Sequence, residues 1–192
     1  MALGSVSLGY ANDEVDHFVV EELRKGVNFS RPSYLERELN QFLSKKLERP
    51  ILAKFSKSSS MLLSVIPRIC RYLTKKPWLL TQRQERTSVI QTACYLSRTH
   101  KCGGILPAGR DSTLSFTGGD AASVQNLFQK YGDKIACIVM EPYRQRVYSP
   151  KFYRELSDLC KRHRALLIFE ETISGFRYFN PLAQKKVAAL QT

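Results

Sequence analysis

The sequence contains no apolar run approaching the roughly 18 residues that cross a bilayer, so nothing in it reads as a membrane span. Its first residues, Met1-Ala-Leu-Gly-Ser-Val-Ser-Leu-Gly-Tyr10, lack the basic stretch that opens a secretory signal, and a cytoplasmic protein is the expectation. No Cys-x-x-Cys pair occurs among the five cysteines, Cys70, Cys94, Cys102, Cys137 and Cys160. His100 near Cys102 offers two ligand types without a second pair, so no metal site is expected and reduced, buried thiols are. Acidic residues are also scarce: 17 Asp and Glu stand against 30 Lys and Arg, a net charge of +13. The shortage is local. Between Lys57 and Cys102, nine basic residues (Lys57, Arg68, Arg71, Lys75, Lys76, Arg83, Arg86, Arg98 and Lys101) face one acid, Glu85.

What is present is clearest at the two ends. Asn12 predicts a helix cap, followed by an apolar stripe of Val15, Phe18, Val19 and Leu23 and a stop at Gly26. Ser33 and Glu36 form a capping-box pattern ahead of a second stripe, Leu35, Leu39, Phe42, Leu43 and Leu47, closed by Pro50. Both stripes are expected to face a core, and residues 51–56 to form a short strand. Over 58–104 the signals weaken. Pro67 and Pro77 interrupt helical patterns, and only a helix over 69–74 is expected there.

Order returns later in the chain. Thr113 to Phe116 reads as a strand, and Asp120 caps a helix with Val124, Leu127, Phe128 and Tyr131 on one face. The run Ile135-Ala-Cys-Ile-Val-Met140 is apolar on both faces, as a buried parallel strand is. Ser149-Pro150 opens a helix burying Phe152, Tyr153, Leu156, Leu159 and Cys160, and Ala165 to Phe169 is a second apolar strand. Strand, helix and strand within 134–170 make a βαβ unit, so the strands are expected to be parallel. Open parallel sheets bind ligands beyond their strands' carboxyl ends. Glu141 ends the first strand, and Glu170 with Glu171 the second. Such acids need partners, either a cationic ligand atom or a nearby arginine such as Arg144 or Arg177.

The stretch Ile135-Ala-Cys-Ile-Val-Met-Glu-Pro142, followed by Phe152 to His163 and Ala165-Leu-Leu-Ile-Phe-Glu-Glu-Thr-Ile-Ser-Gly-Phe-Arg177, resembles the class III pyridoxal-phosphate aminotransferases. Met1 to Tyr10, Lys25 to Ser33 and Leu35-Glu-Arg-Glu-Leu39 resemble their glutamate-semialdehyde aminomutase branch, and Thr113 to Phe116 with the Asp120 to Tyr131 helix also fit it. The resemblance covers roughly 1–57 and 105–177. It implies an α/β fold: part of the large domain of the fold type I, PLP-dependent transferase architecture. It also implies pyridoxal phosphate as cofactor and a small amino, keto or aldehyde substrate.

In that family an Asp of the matching motif bonds the pyridine nitrogen; Glu170 occupies its position, one methylene longer, so either the ring shifts or the side chain folds back. The family's phosphate-binding turn aligns with Ser58-Ser59-Ser60, which implies phosphate contacts from Ser59 and Ser60, although three serines also read as a plain polar loop. The family's ring-stacking aromatic has no clear counterpart in the 80s or 90s.

The resemblance divides the chain into an N-terminal helical part (1–57), a divergent basic segment expected to be poorly ordered (58–104), and a truncated α/β part (105–192). The family's Schiff-base lysine lies downstream of the matched region, and neither Lys185 nor Lys186 has its flanking pattern. No catalytic residue is therefore assigned, and a chain inactive alone is expected, with a homodimer or a lysine-donating aminotransferase chain as partner. Translation of 58–103 in a shifted reading frame would explain its composition; the encoding DNA, read in the other frames, should then restore family-like residues. The alternative function is a non-catalytic interaction module or remnant binding nucleic acid through Arg68, Arg71, Tyr72, Lys75, Lys76 and Trp78, a solvated basic loop being the simpler view of that segment.

Overall fold

The computed structural model describes residues 5–27, 30–82, 111–144 and 146–177. The chain divides into two compact units, Met1–Phe55 and Ser56–Thr192. In the first, helix α1 (Asp13–Arg24) begins where the Asn12 side chain accepts from the Val15 amide at 3.1 Å. The expectation that its stripe faces a core is corrected, because α1 buries none of its residues and Leu23 is 57% exposed. Helix α2 (Tyr34–Leu47) buries only Leu47. Ser33 makes no side-chain cap bond, so the expected capping box does not form. Residues 51–56 are not a strand either. With no neighbouring strand to pair with, their backbone is satisfied by α2: Asn40 Oδ1 accepts from the Ala53 amide at 2.6 Å and Ser44 Oγ from the Ile51 amide at 3.2 Å.

The second unit is built on a parallel sheet of four strands, in the order Thr113–Phe116, Trp78–Gln82, Ile135–Met140, Leu166–Phe169. Helix α3 (Ser59–Thr74) leads into β1 (Trp78–Gln82), which pairs with β2 (Thr113–Phe116) on one side. After β2 come α4 (Ala121–Tyr131), a single 3-10 turn and β3 (Ile135–Met140), which lies on the other side of β1. A two-residue ribbon, β4 (Tyr143–Arg144) with β5 (Arg146–Val147), precedes α5 (Pro150–Arg162) and β6 (Leu166–Phe169).

The βαβ expectation holds, with Cys137 to Met140 paired in parallel to Leu166 to Phe169. The expected caps of α5 and α4 hold too: Ser149 accepts from the Phe152 amide, and Asp120 from the Ser123 amide.

Residues 58–82 are more regular than expected. The helix foreseen over 69–74 runs from Ser59 through Pro67, which lies buried within it. A proline there removes one helical hydrogen bond. The surrounding side chains outweigh that loss, since Leu63, Pro67 and Cys70 are all buried. The unforeseen β1 is central in the sheet, its residues Leu79 to Gln82 all buried. It carries Thr81 and Gln82 where a continuous apolar run would have marked it.

Layering follows from the alternation of side chains along the strands. On one face α3 packs Leu63, Ile66 and Cys70 against Leu79, Cys137, Val139, Leu166 and Ile168. On the other, α4 and α5 cover Leu80, Ile138 and Met140 with Val124, Phe128, Phe152 and Leu156. Cys70, Cys137 and Cys160 are buried and free, as expected of reduced thiols; Cys94 and Cys102 lie outside the described residues. No helix among the described residues is long and apolar enough to cross a membrane.

Candidate functional site at the carboxyl edge of the sheet

Strand connections run in opposite directions from β1 and β3: β1 leads to β2 at one side, β3 to β6 at the other. A crevice at such a reversal, beyond the carboxyl ends of the strands, is where open α/β sheets hold ligands. Gln82 ends β1, Glu141 follows β3, and Glu170 follows β6. The ladder continues one residue past β6, as the Glu170 amide donates to the Met140 carbonyl at 2.8 Å. Cys137, Val139, Leu166 and Ile168 all share the α3 face. Alternation therefore carries Glu141 and Glu170 onto that face as well.

The same face receives the other predicted residues. Only Lys75 to Pro77 separate α3 from β1, so the helix runs back antiparallel to the strands and its amino end lies at their carboxyl edge. Ser58 is the cap: its hydroxyl oxygen accepts from the Met61 amide at 3.3 Å and its carbonyl from the Leu62 amide. Ser59 and Ser60 are thus the first two helical residues, whose amides have no acceptor within the helix. The polar-loop reading of the three serines gives way to a helix amino terminus, a natural seat for an anion. The structure brings Ser59, Ser60 and Glu170 to one edge and one face of the sheet.

Glu170 is 6% exposed. Its Oε1 accepts from the Thr172 amide at 2.8 Å, so the longer side chain folds back onto its own turn. Oε2 is buried with no hydrogen-bond partner among the described residues. A buried carboxylate oxygen left without a donor is costly unless something supplies one. This orphaned acceptor fits the protonated ring nitrogen of pyridoxal phosphate, and the free amides at Ser59 and Ser60 fit its phosphate.

Two further buried polar atoms lack partners among the described residues, Gln82 Oε1 and Ser174 Oγ. Gln82 ends a central strand and its amide nitrogen donates to the Tyr148 hydroxyl at 2.5 Å. Sequence reasoning missed Gln82 because its segment carried no periodic signal; Ser174 lay within the recognised motif without a role. No cluster of metal-ligating residues occurs among the described residues. The Arg144 side chain, Tyr95 (the one aromatic of the 80s and 90s), and Lys185 with Lys186 all lie outside them.

No protein-family model matches the chain. It is 28% identical over 196 residues to a glutamate-1-semialdehyde 2,1-aminomutase of Thermoplasma volcanium, covering 94% of this chain and 46% of that protein. A protein of the same name from Clostridium botulinum is 26% identical over 200 residues, covering 92% and 44%. The chain therefore spans less than half the length of these relatives.

Solved structures agree in fold. The FumI protein of a Sphingopyxis species, in its PLP internal aldimine form, superposes with a TM-score of 0.84 at 22% identity over 97% of this chain and 45% of that one. An omega-transaminase from Sphaerobacter thermophilus gives 0.81 at 20% over 96% and 46%. A glutamate-1-semialdehyde aminomutase from Pseudomonas aeruginosa gives 0.72 at 17% over 89% and 39%. The chain is aminotransferase-like: its fold is part of the α/β fold of PLP-dependent transaminases, and its sequence is similar to the glutamate-1-semialdehyde aminomutases.

Proposed function

We propose that the carboxyl edge of this sheet binds pyridoxal phosphate, with Glu170 receiving the ring nitrogen and the α3 amino terminus, through Ser59 and Ser60, receiving the phosphate. The observation that carries the reading is the buried, unpartnered Oε2 of Glu170 at the position the resemblance assigns to the nitrogen-binding acid. The Thr172 amide fixes the other oxygen, so the free one is held in place and points its charge at a cationic donor. At α3 the two free amides and the helix dipole favour an anion, and the serine hydroxyls add donors. When bound, the cofactor supplies an electron sink for a carbanion beside an amine, the chemistry of aminotransfer and aminomutation on a small amino, keto or aldehyde substrate.

Binding and turnover are separable in this reading. Glu170 keeps the ring nitrogen protonated and Ser59 and Ser60 anchor the phosphate, and none of the three supplies the amine for Schiff-base chemistry. A second copy in a homodimer, or a lysine-donating aminotransferase chain, is the partner this reading calls for. The three free, buried cysteines suit a reducing cytoplasm.

The test is pyridoxal phosphate added to the purified chain, followed by visible circular dichroism. An induced band is expected, lost in Glu170→Ala and weakened in the Ser59→Ala, Ser60→Ala double variant. A folded chain that gives no band, or a band indifferent to Glu170→Ala, would overturn the assignment.

A further inference from the structure

At the opposite, amino edge of the sheet, charge of one sign collects. Every helix packed on the sheet ends there, because each must return the chain to the start of the next strand. Each end is basic: Arg71 and Lys75 at α3, Lys130 and then Lys134 after α4, and Lys161, Arg162 and Arg164 at α5. Contacts tie these ends together. Lys76 Nζ donates to the Gly132 carbonyl at 3.0 Å and to the His163 carbonyl, joining the α3–β1 turn to the ends of α4 and α5. Arg71 Nη2 donates to Ser112 Oγ at 3.3 Å, and Trp78 meets Tyr131 edge-on at 4.8 Å.

Cations at helix carboxyl ends ordinarily complement the last carbonyls and the dipole. Here Lys76 fills that role for both α4 and α5. Lys75, Lys130, Lys134, Lys161, Arg162 and Arg164 are exposed and make no ion pair among the described residues. Asp111 and Asp133 are the described acids at this edge, with Asp158 one turn back along α5. Three of the lysines stand over rings: Lys75 over Tyr72 at 4.2 Å, Lys130 over Tyr131 at 5.1 Å and Lys134 over Trp78 at 5.1 Å. Those ring faces are therefore occupied, and the surface offers positioned charge rather than stacking platforms.

We propose that this edge binds the phosphate backbone of nucleic acid without reading its sequence. Protein interfaces deplete charge at their centre and bury an apolar core there. Large exposed apolar side chains at this edge are confined to the last turn of α3, at Tyr72 and Leu73, whereas the cations extend over all three helix ends, and nucleic-acid interfaces are polar and strongly positive. The cations run from the α3 layer across the sheet to the α5 layer, roughly 20 Å at about 10 Å per layer. That length spans several consecutive phosphates, which repeat about every 3.4 Å along a duplex strand. The inference is independent of the cofactor site, which lies at the other end of the strands.

Fluorescence anisotropy with a labelled 20-nucleotide single strand and its duplex, using the purified chain, tests it. Both forms should bind without sequence preference, and the tighter of the two identifies the source of the phosphates. For the single strand, affinity should fall roughly 300-fold between 50 and 200 mM salt if all six cations engage. Lys134→Gln with Lys161→Gln and Arg162→Gln should reduce the slope of log affinity against log salt by about 2. Arg37→Gln with Lys45→Gln and Lys54→Gln removes equal charge elsewhere and should leave the slope unchanged. If the first triple variant loses its circular dichroism, Lys161→Gln and Arg162→Gln singly carry the test, each lowering the slope by about 0.7. No binding at 50 mM salt, equal loss in the control variant, or equal displacement by polyglutamate would overturn the proposal.

Discussion

Glu170 illustrates how one methylene is accommodated. Its extra length is absorbed by curling back to the Thr172 amide, which leaves one oxygen committed and the other buried without a donor. A buried carboxylate oxygen left without a donor costs stability. Glu170→Gln should therefore raise the urea midpoint of the cofactor-free chain, by about 1 kcal/mol, while abolishing the induced dichroism; a lowered midpoint would show that the charge is satisfied. Two other buried groups set an alkaline limit. Burial pushes the Cys160 thiol up to about 12 and the Tyr153 phenol up to about 12. The unfolded chain releases these protons near 8.5 and 10. The fold thus favours the protonated forms, and their contribution is full below about pH 8.5 and is lost as pH rises towards 12. Urea midpoints at pH 8 and pH 10.5 should show that fall, and Cys160→Ala should shrink it.

Individual elements are held by contacts at their ends as much as by their stripes. Lys76 bonds the carbonyls of Gly132 and His163, the residues that cap α4 and α5, so Lys76→Met should cost about 2 kcal/mol, read as a lower urea midpoint with an unchanged slope. Gly118 sits tightly against the end of β1. A Cβ there would lie 2.3 Å from Gln82 Nε2 and 2.6 Å from the Tyr148 hydroxyl. Gly118→Ala should displace that hydrogen-bonded pair and destabilise by about 1–3 kcal/mol, with Gly118→Ala in a Gln82→Ala background recovering most of the loss. In β1, Leu80 is fully buried between α4 and α5, and Leu80→Ala should cost about 2–5 kcal/mol in the same assay.

At the scale of the whole molecule, stability is unevenly distributed. Every residue of β3 is buried, whereas α1 buries none. Hydrogen exchange should accordingly be slowest at Ile135 to Met140 and rapid throughout Asp13 to Arg24; comparable protection in both would refute this ordering. The parallel topology also separates two chemistries. Strand carboxyl ends gather Gln82, Glu141, Glu170 and the α3 amino terminus, while strand amino ends gather the helix carboxyl termini and their cations. Opposite ends of one sheet thus present an acceptor-lined edge and a basic edge.

The sequence by itself determined the elements whose signal is local. The βαβ unit from Ile135 to Phe169 was legible because a strand buried on both faces must be apolar throughout, and Ser149-Pro150 and Asp120 cap helices through contacts within one turn. Glu170 was singled out through its motif, and the structure buries it at a strand end. What only the tertiary structure decided depends on distant neighbours. Pro67 remains helical because Leu63 and Cys70 pack on Cys137 and Val139, and Trp78 to Gln82 is a strand because β2 and β3 flank it. Ser59 and Ser60 come to the Glu170 face only because a three-residue turn reverses α3 against β1. No local pattern records that reversal, since sheet order and helix direction are set by burial between segments far apart in the chain.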